Sequence, residues 1–477
     1  MKKRALLPLF SLITPLFCVA NTFNCADEFA WLKATFETND AGFHYAVSNK
    51  GQAVYEAHNR GALASAQAAS GVEQCHVVLR DWLAFFRKGH IGLSLNSTGS
   101  SEAVHASAVQ PFDVPAFKQY LKNKNEEDLE GLWQFSSYTV ALKKEENAYR
   151  AYITESKNPA WQPGQVKFVI NDVDGDKDSA NITFFMGDHS PYSVDRLTHL
   201  GRNEVVLGDN FIVMSRLAPR QESSPEMKRY VRLLNAKKPS FEKVSETTAL
   251  VRIPSFELGY KQEIDALIAA NLDTILRTEN LIIDIRGNGG GSDVSYESLL
   301  PLIYTNPIRV IEMEYLSTPL NNSRMLSFMD NPHFSDEEKA WAKSGYDTLS
   351  KHLGQFVILG DALTIKDYET VHAYPKSVGV LINNRNGSTA EQFLLAAKQS
   401  KKVKLFGQTT AGVLDISNMY QVDSPSKHFT LHYSLTRSLR IPHMAIDGKG
   451  LQPDYYIDSE LPVHQWISHT QSMLEGV

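Results

Sequence analysis

Residues 379–397 read Gly379-Val-Leu-Ile-Asn-Asn-Arg-Asn-Gly-Ser388-Thr-Ala-Glu391-Gln-Phe-Leu-Leu-Ala-Ala397. The pattern predicts a short apolar strand, a polar turn and an amphipathic helix, with Ser388 at the junction. A hydroxyl at a helix start lies beside free backbone N–H groups, which suits a nucleophile whose attack creates an oxyanion. The spacing Ser388-x-x-Glu391 is also that of a capping box, in which the serine is purely structural. This stretch alone leaves both interpretations open.

The composition is that of an ordinary globular protein. The chain has 477 residues, enough for two or three domains, of which 43% are hydrophobic and 21% charged. These values exclude a largely disordered chain and a strongly basic protein that follows a nucleic-acid backbone.

The first twenty residues have the pattern of a secretory signal peptide. Lys2-Lys3-Arg4 precede an apolar run from Ala5 to Ala20, which is too short and one-sided for a good membrane span. Cys18 raises the alternative of a lipoprotein signal. Such signals have a small residue directly before the cysteine, where this chain has the bulky Phe17. We therefore expect an exported, periplasmic or secreted product that begins near Asn21, with no later membrane span.

Cleavage there would change both the charge and the cysteine content. It leaves 45 basic and 54 acidic residues, a net charge of −9, which disfavours binding to nucleic acid or anionic lipid. Only Cys25 and Cys75 remain. In an oxidising compartment they would plausibly pair, and the alternative is two separate buried thiols.

Three patterns of apolar residues follow one another along the chain, which predicts a multidomain α+β protein. Helical spacing of apolar residues marks a small N-terminal domain, alternating strands follow, and a strand-helix-strand pattern then indicates an α/β core. We place these parts at 21–95 (helical), 110–225 (antiparallel β), 245–460 (α/β core) and 461–477 (C-terminal helix or tail), with a Ser/Ala-rich linker near 96–109.

Two loops allow a functional interpretation, one as a calcium site and the other as an oxyanion hole. The acidic loop Asp172–Asp178 fails as an EF-hand, because Thr183 or Phe185 stands where the bidentate glutamate is needed, so we expect a hairpin turn at Asp174-Gly175. The glycine loop Gly287–Gly291 follows the apolar strand Leu281–Arg286. It lacks the patterns of a dinucleotide fold and of a P-loop, and its remaining functional interpretation is an oxyanion hole.

Four segments together resemble the C-terminal-processing (tail-specific) serine peptidase family. They are Leu281–Gly291, Asn386–Phe393, Leu405–Gly412 and Asp447–Asp454, in the family's order and spacing. The resemblance covers roughly residues 245–460. It implies a core like that of the tail-specific and tricorn proteases (ClpP/crotonase-like), Ser388 as the nucleophile, and an oxyanion hole from the amides of Gly289, Gly290 and Thr389.

One departure selects the branch of the family. The processing peptidases use a lysine directly after the Thr-x-Gly motif, where this chain has Val413. The tricorn-like branch uses Ser-His-Glu, with its histidine near the N-terminus. Lys88-Gly89-His90-Ile91 resembles that motif, and Asp447 occupies the acidic position, although Asp is one methylene shorter than Glu. The resemblance thus implies His90 as the base and Asp447 as its orienting carboxylate.

These points predict an exported serine peptidase that acts on peptides or proteins without a metal or organic cofactor. We find no PDZ-like segment, so strict recognition of a substrate's C-terminus is not implied, and homo-oligomerisation is left open. The alternative is an inactive binding protein on the same core that carries a small apolar ligand or a peptide, as the interphotoreceptor retinoid-binding protein carries apolar ligands. A serine-directed covalent probe would separate the two.

Overall fold

The computed structural model describes residues 23–96, 109–124, 128–172, 179–208, 212–332 and 334–476. It divides into two compact units: residues up to Asn96 with Met419–Ser434, and Ser97–Asn418 with Leu435–Val477. The expected signal peptide, most of the expected linker and the Asp174-Gly175 turn lie outside the described residues.

Four helices make up most of the first unit: α1 (Cys25–Asn39), α2 (Phe43–Lys50), α3 (Gln52–Ala68) and α4 (Val72–Ala84). Their buried faces carry large aromatic side chains, and Phe36 packs edge-to-face on Trp82 with ring centroids 5.8 Å apart. Cys25 and Cys75 form a disulfide, so the pairing favoured by the sequence is present. Strand β1 (Gly92–Leu95) follows the helices and pairs antiparallel with residues 429–432.

The β-rich part of the second unit is a closed antiparallel barrel. Its first strand pairs with its last, through Leu132 with Ala218 and Trp133 with Arg216. Apolar side chains such as Val140 and Phe168 fill the interior, as in other eight-stranded barrels. Helix α5 (Val114–Leu121) precedes the strands, which are β2 (Gly131–Phe135), β3 (Tyr138–Glu145), β4 (Ala148–Ser156), β5 (Val166–Asp172), β6 (Ser179–Phe185), β7 (Pro191–Leu200), β8 (Glu204–Leu207) and β9 (Ile212–Ala218).

One lysine of the barrel is almost completely buried. Lys167 is 1% exposed, and its Nζ donates hydrogen bonds to the carbonyl oxygens of Phe185 at 2.6 Å and Met186 at 3.2 Å. The ammonium also lies 3.9 Å from the ring centroid of Trp161. Burial lowers the pKa of Lys167 to about 8, with a weaker opposing effect from Asp188.

The remaining elements belong to the second unit, except for residues 419–434, which belong to the first. They begin with α6 (Pro225–Leu234), β10 (Ser240–Lys243), β11 (Thr248–Arg252), α7 (Lys261–Ile275), β12 (Asn280–Asp284), α8 (Leu300–Ile303), β13 (Ile308–Ile311), β14 (Met313–Leu316), α9 (Pro319–Met329) and α10 (Asp336–Leu349). They continue with β15 (Phe356–Val357), β16 (Leu363–Lys366), β17 (Ser377–Ile382), α11 (Thr389–Ala397), β18 (Val403–Gly407), β19 (Ile416–Asp423), β20 (Phe429–Ser438), β21 (Tyr455–Tyr456) and α12 (Trp466–Glu475).

The central sheet of this core has the strand order β10-β11-β12-β17-β18-β21. All neighbouring strands run parallel except β10, which is antiparallel to β11. Strands β12 and β17 are direct neighbours, with Asp284 opposite Leu381. Because the carboxyl ends of parallel strands meet at one edge, the glycine loop after β12 and the serine turn after β17 lie side by side.

In the part of the chain described here, no helix combines the length and the apolar character needed to cross a membrane.

Candidate active site

Ser388 occupies the turn between β17 and α11, and its backbone conformation is unusual. The residue is half-buried with φ 54° and ψ −127°, in a region that residues with a Cβ rarely adopt. Such a conformation persists only where the surroundings enforce it, and it occurs often at active sites. The turn therefore presents the serine in a strained conformation at the start of a helix.

The capping-box interpretation of Ser388 and Glu391 is wrong. Ser388 is the N-cap residue of α11, but its side chain makes no capping hydrogen bond. The chain does contain a capping box with the same spacing, at Ser335 and Glu338, where both reciprocal hydrogen bonds are present. Ser335 makes a capping hydrogen bond and Ser388 does not, so the spacing alone does not determine whether a serine caps its helix.

The Glu391 carboxylate binds the segment that follows β18. Its carboxylate accepts hydrogen bonds from the Thr410 hydroxyl and from the backbone N–H groups of Gly412 and Val413, the latter two at 2.8 Å. Complete burial raises the pKa of the Glu391 carboxyl, against the effect of these three donors. The carbonyl oxygen of Val413 in turn accepts the Ser388 N–H at 3.0 Å. Glu391 thus supports the serine turn through a neighbouring loop.

Asn386 joins the serine turn to the glycine loop. Its Nδ2 donates to the carbonyl oxygens of Ile285 at 2.5 Å and Asn288 at 3.0 Å, while its Oδ1 accepts the Asn383 N–H at 2.7 Å. Asn386 is fully buried, so these bonds are shielded from competition with water. The side chain fixes the distance between the two loops.

The two loops approach so closely that Gly290 cannot carry a side chain. A Cβ added there would lie 2.7 Å from Ser388 Cβ, and Gly290 also has φ +109°. The Thr389 hydroxyl donates to the carbonyl oxygen of Gly291 at 3.0 Å, which adds a direct link. The glycine therefore lets bare backbone lie against the serine.

The three amides assigned to the oxyanion hole are not equivalent. The Gly290 N–H donates to Asn288 Oδ1 at 2.9 Å, so it is already engaged. Within the described ranges, the N–H groups of Gly289 and Thr389 have no protein acceptor. Two of the three expected donors therefore make no hydrogen bond to another described residue.

Asp447 is held by backbone amides. Its Oδ1 accepts the N–H groups of Leu414 and Asp415, both at 2.6 Å, and its Oδ2 accepts that of Ile416 at 3.2 Å. Burial raises the pKa of the Asp447 carboxyl, and the three amides oppose that shift. Asp447 fixes the segment 414–416, and its role in orienting an imidazole stays a prediction.

Sequence reasoning missed a buried ion pair that supports this segment. Asp415 accepts a hydrogen bond from Arg440 Nε at 2.9 Å and also accepts the Asp447 N–H at 2.9 Å. Arg440 Nη1 reaches Gln392 Oε1, one turn after Ser388 on α11, at 3.3 Å. No local pattern signals such a pair, because its members come from separate segments and each residue type is usually exposed.

His90 belongs to the first unit and lies just before β1. Its backbone has φ 53°, and its carbonyl oxygen accepts hydrogen bonds from Arg87 Nη2 and Ser434 Oγ, both at 2.8 Å. Arg87 also pairs with the buried Asp40 through two hydrogen bonds. These contacts fix the backbone of His90. Its role as the base stays a prediction, because the proposed nucleophile and carboxylate belong to the second unit.

Two charged residues at the end of β12 form a buried ion pair just before the glycine loop. Asp284 accepts hydrogen bonds from Arg286 Nε at 2.9 Å and Nη2 at 2.8 Å, and Arg286 Nη1 donates to the Val463 carbonyl oxygen at 3.0 Å. Burial opposes ionisation of Asp284, but Arg286 and Arg252 hold the pKa of its carboxyl below the usual range. Among the residues that the structure describes, no group of three or more His, Cys, Asp or Glu is placed to hold a metal ion.

Residues 247–457 match the sequence model of peptidase family S41. By this match, which spans 211 of the 477 residues, the α/β core is similar to peptidase family S41. The resemblance of the four core segments to tail-specific serine peptidases is therefore confirmed, and so is the expectation of a serine peptidase that acts on peptides or proteins. No curated protein matches the chain by sequence.

Solved structures share the fold at low sequence identity. Mature CPAF complexed with lactacystin is 13% identical with a TM-score of 0.53, over 95% of this chain and 97% of that one. A serine-to-alanine mutant of CPAF is 15% identical with a TM-score of 0.52, over 95% and 96%. The photosystem II D1 C-terminal processing protease is 13% identical with a TM-score of 0.41, over 93% of this chain and 95% of that one. The two CPAF structures support the multidomain α+β fold class.

Proposed function

We propose that this peptidase is exported and cleaves peptide bonds with Ser388 as nucleophile, His90 as base and Asp447 as the carboxylate that orients the imidazole. The resemblance of the Lys88–Ile91 segment to the tricorn-like histidine motif, and Val413 in place of the dyad lysine, support this choice of base. The signal-like first twenty residues support export.

The observation that carries the proposal is the backbone conformation of Ser388 together with the hydrogen bonds that Ser388 and its neighbours do not make. Its side chain has no capping role, its backbone has φ 54°, and the Gly289 and Thr389 amides beside it lack protein acceptors within the described residues. A serine that only capped a helix would require none of these features.

The proposed reaction has two steps, acylation of Ser388 and hydrolysis of the acyl-enzyme. Ser388 Oγ bonds to the substrate carbonyl carbon while its proton passes to His90, and the Gly289 and Thr389 amides bind the oxyanion. Collapse breaks the C–N bond, and the amine leaves with the proton from His90. Water then attacks the acyl-enzyme while His90 again acts as the base. This step releases the carboxylic acid and regenerates Ser388.

The decisive experiment labels the intact protein with a serine-directed phosphonate probe, maps the adduct by mass spectrometry, and measures hydrolysis of a fluorogenic protein substrate. We expect the adduct on Ser388, and loss of both labelling and hydrolysis in Ser388→Ala. His90→Ala should greatly slow both, whereas the exposed control His352→Ala should not.

Unchanged hydrolysis in Ser388→Ala would overturn the proposal. Unchanged rates in His90→Ala would remove the assigned base and leave the serine assignment standing. Absence of any adduct, together with a co-purifying apolar ligand, would favour the binding protein instead.

A further inference from the structure

The carboxyl ends of three neighbouring strands of the central sheet line a small cavity. Arg252 ends β11, Asp284 ends β12 and Asn383 follows β17, and Tyr230 of α6 completes this side of the lining. The cavity has a volume of about 30 Å³, and its described lining lies within the second unit and includes none of the proposed catalytic residues. Open α/β sheets bind ligands outside the carboxyl ends of their strands, so this place is a candidate binding site.

The lining carries a buried excess of positive charge. Arg252 is 6% exposed and Arg286 is 7% exposed, and among the described lining residues their charged partner is the single carboxylate of Asp284. Arg286 makes two close hydrogen bonds to that carboxylate, whereas Arg252 Nη1 lies 3.6 Å from its Oδ1. Burial lowers the pKa of the Arg252 guanidinium, and Asp284 opposes that shift. The charge of Arg252 is therefore weakly compensated by the protein, and an anion would compensate it.

The unengaged side-chain atoms of the lining are hydrogen-bond donors. Arg252 donates through Nε and Nη1 to two backbone carbonyl oxygens, at 3.4 and 3.1 Å, but its Nη2 has no acceptor within the described residues. The Tyr230 hydroxyl and Asn383 Nδ2 also make no hydrogen bond there, and the Gly287 N–H on Asn383 Oδ1 fixes the orientation of that amide. None of the three donor atoms is fully occluded, so an ion in the cavity can reach them.

The size and charge of the cavity select the ligand. A volume of about 30 Å³ equals the share of one water molecule in liquid water. That room fits a monoatomic halide, but not the four oxygens of phosphate or sulfate or the several heavy atoms of an organic acid. Metal cations are disfavoured, because both oxygens of Asp284 already accept hydrogen bonds from Arg286. A water molecule would fill the same room but would leave the charge of Arg252 uncompensated.

We propose that this cavity binds one chloride ion, to which Arg252 Nη2, Asn383 Nδ2 and the Tyr230 hydroxyl donate hydrogen bonds. Bound chloride neutralises the excess charge at the end of β11 and links α6 to the turn after β17. Gly287, the first residue of the glycine loop, also lines the cavity, so chloride stabilises the start of that loop. The proposal stands whether or not Ser388 is a nucleophile.

Chlorine NMR on the native protein tests the proposal, because bound chloride relaxes much faster than free chloride and broadens the signal. We expect a saturable broadening that bromide reverses and that gluconate, whose organic anion is too large, does not. Arg252→Met should weaken chloride binding about tenfold or more. The matched control Arg277→Met removes an exposed arginine and should leave the affinity unchanged. Absence of saturable broadening, or equal binding by Arg252→Met, would overturn the proposal.

A second variant and a second measurement keep the test independent of the folding of Arg252→Met. Tyr230→Phe removes one hydroxyl and leaves both arginines in place, and it should also weaken chloride binding, whereas the exposed control Tyr456→Phe should not. In a bromide-soaked crystal of the native protein, we expect an anomalous peak within hydrogen-bond distance of Arg252 Nη2. Equal binding by Tyr230→Phe would remove that hydroxyl from the site, and a cavity without an anomalous peak would contradict the assignment.

Discussion

The carboxylate of Glu391 accepts the backbone N–H of Val413 at 2.8 Å, although Glu391 stands at capping-box spacing from Ser388. Val413 then accepts the Ser388 N–H through its carbonyl oxygen at 3.0 Å. Glu391 and Ser388 are thus connected through Val413, and the Ser388 hydroxyl makes no capping hydrogen bond. The N-cap residue of α11 therefore does not stabilise the helix end with its side chain.

Replacing Ser388 with alanine should abolish hydrolysis without the stability loss of a missing cap, because no capping bond exists. Ser335→Ala is the matched control, since Ser335 Oγ accepts the Glu338 N–H at 3.2 Å in a complete capping box. That control should lose about 1 kcal/mol of unfolding free energy and keep its activity. Urea denaturation and a hydrolysis assay on both variants provide the measurement. Equal stability losses would contradict the difference between the two serines.

Glu391→Gln should weaken both stability and catalysis. The amide retains one acceptor oxygen, whereas the carboxylate binds Gly412 and Val413 through different oxygens, so one buried N–H loses its partner. We expect a loss of about 1–3 kcal/mol and a lower kcat at nearly unchanged KM, because the serine turn is displaced. The exposed Glu337→Gln serves as the control in denaturation and steady-state kinetics. A kcat equal to that of the native enzyme would show that the loop does not position Ser388.

Gly290→Ala should be far more harmful than a glycine replacement in open space. The new Cβ would meet Ser388 Cβ at 2.7 Å, and the backbone has φ +109°. We expect loss of probe labelling at Ser388 and destabilisation of about 1–3 kcal/mol. The control is Gly259→Ala, where a Cβ would meet nothing within 4 Å. Normal labelling in Gly290→Ala would refute the close approach of the two loops.

The stability of the barrel should rise with pH because of Lys167. Burial lowers its pKa from 10.5 to about 8. Between these values the folded lysine is neutral while the unfolded one still holds its proton. The unfolded state therefore binds more protons, and the free energy of unfolding rises with pH in that window. Lys167→Met should lack this rise, and the exposed control Lys157→Met should retain it. Denaturation across the window gives the difference, and parallel curves for native protein and Lys167→Met would contradict the lowered pKa.

The sequence predicted the elements of the α/β core well because their signals are local. The apolar strand before Ser388 and the helix after it occur as β17 and α11. The glycine loop and the serine turn lie side by side because β12 and β17 are parallel neighbours, and the sequence did not predict that pairing. Closure of the barrel could not be predicted, since it depends on pairing Leu132 with Ala218, more than eighty residues apart.

The candidate site was only partly predictable for a similar reason. Ser388 and Gly290 were recognisable because they lie in segments with family-specific spacing. The partners of Glu391 were not, because a capping box and a bond to a distant loop share the same local sequence. The pair Asp415–Arg440 is determined by tertiary contacts alone. Pairing of His90 with Ser388 stays a prediction from the family resemblance.

The first unit takes its helices and β1 from the start of the chain, and the partner of β1, residues 429–432, from near its end. A ribosome must therefore add more than three hundred residues after Leu95 before this sheet can form. Closing so large a loop is slow, and the emerging N-terminal segment must remain unpaired at that edge while the rest is synthesised. Completion of this unit is consequently a late event in the production of the protein.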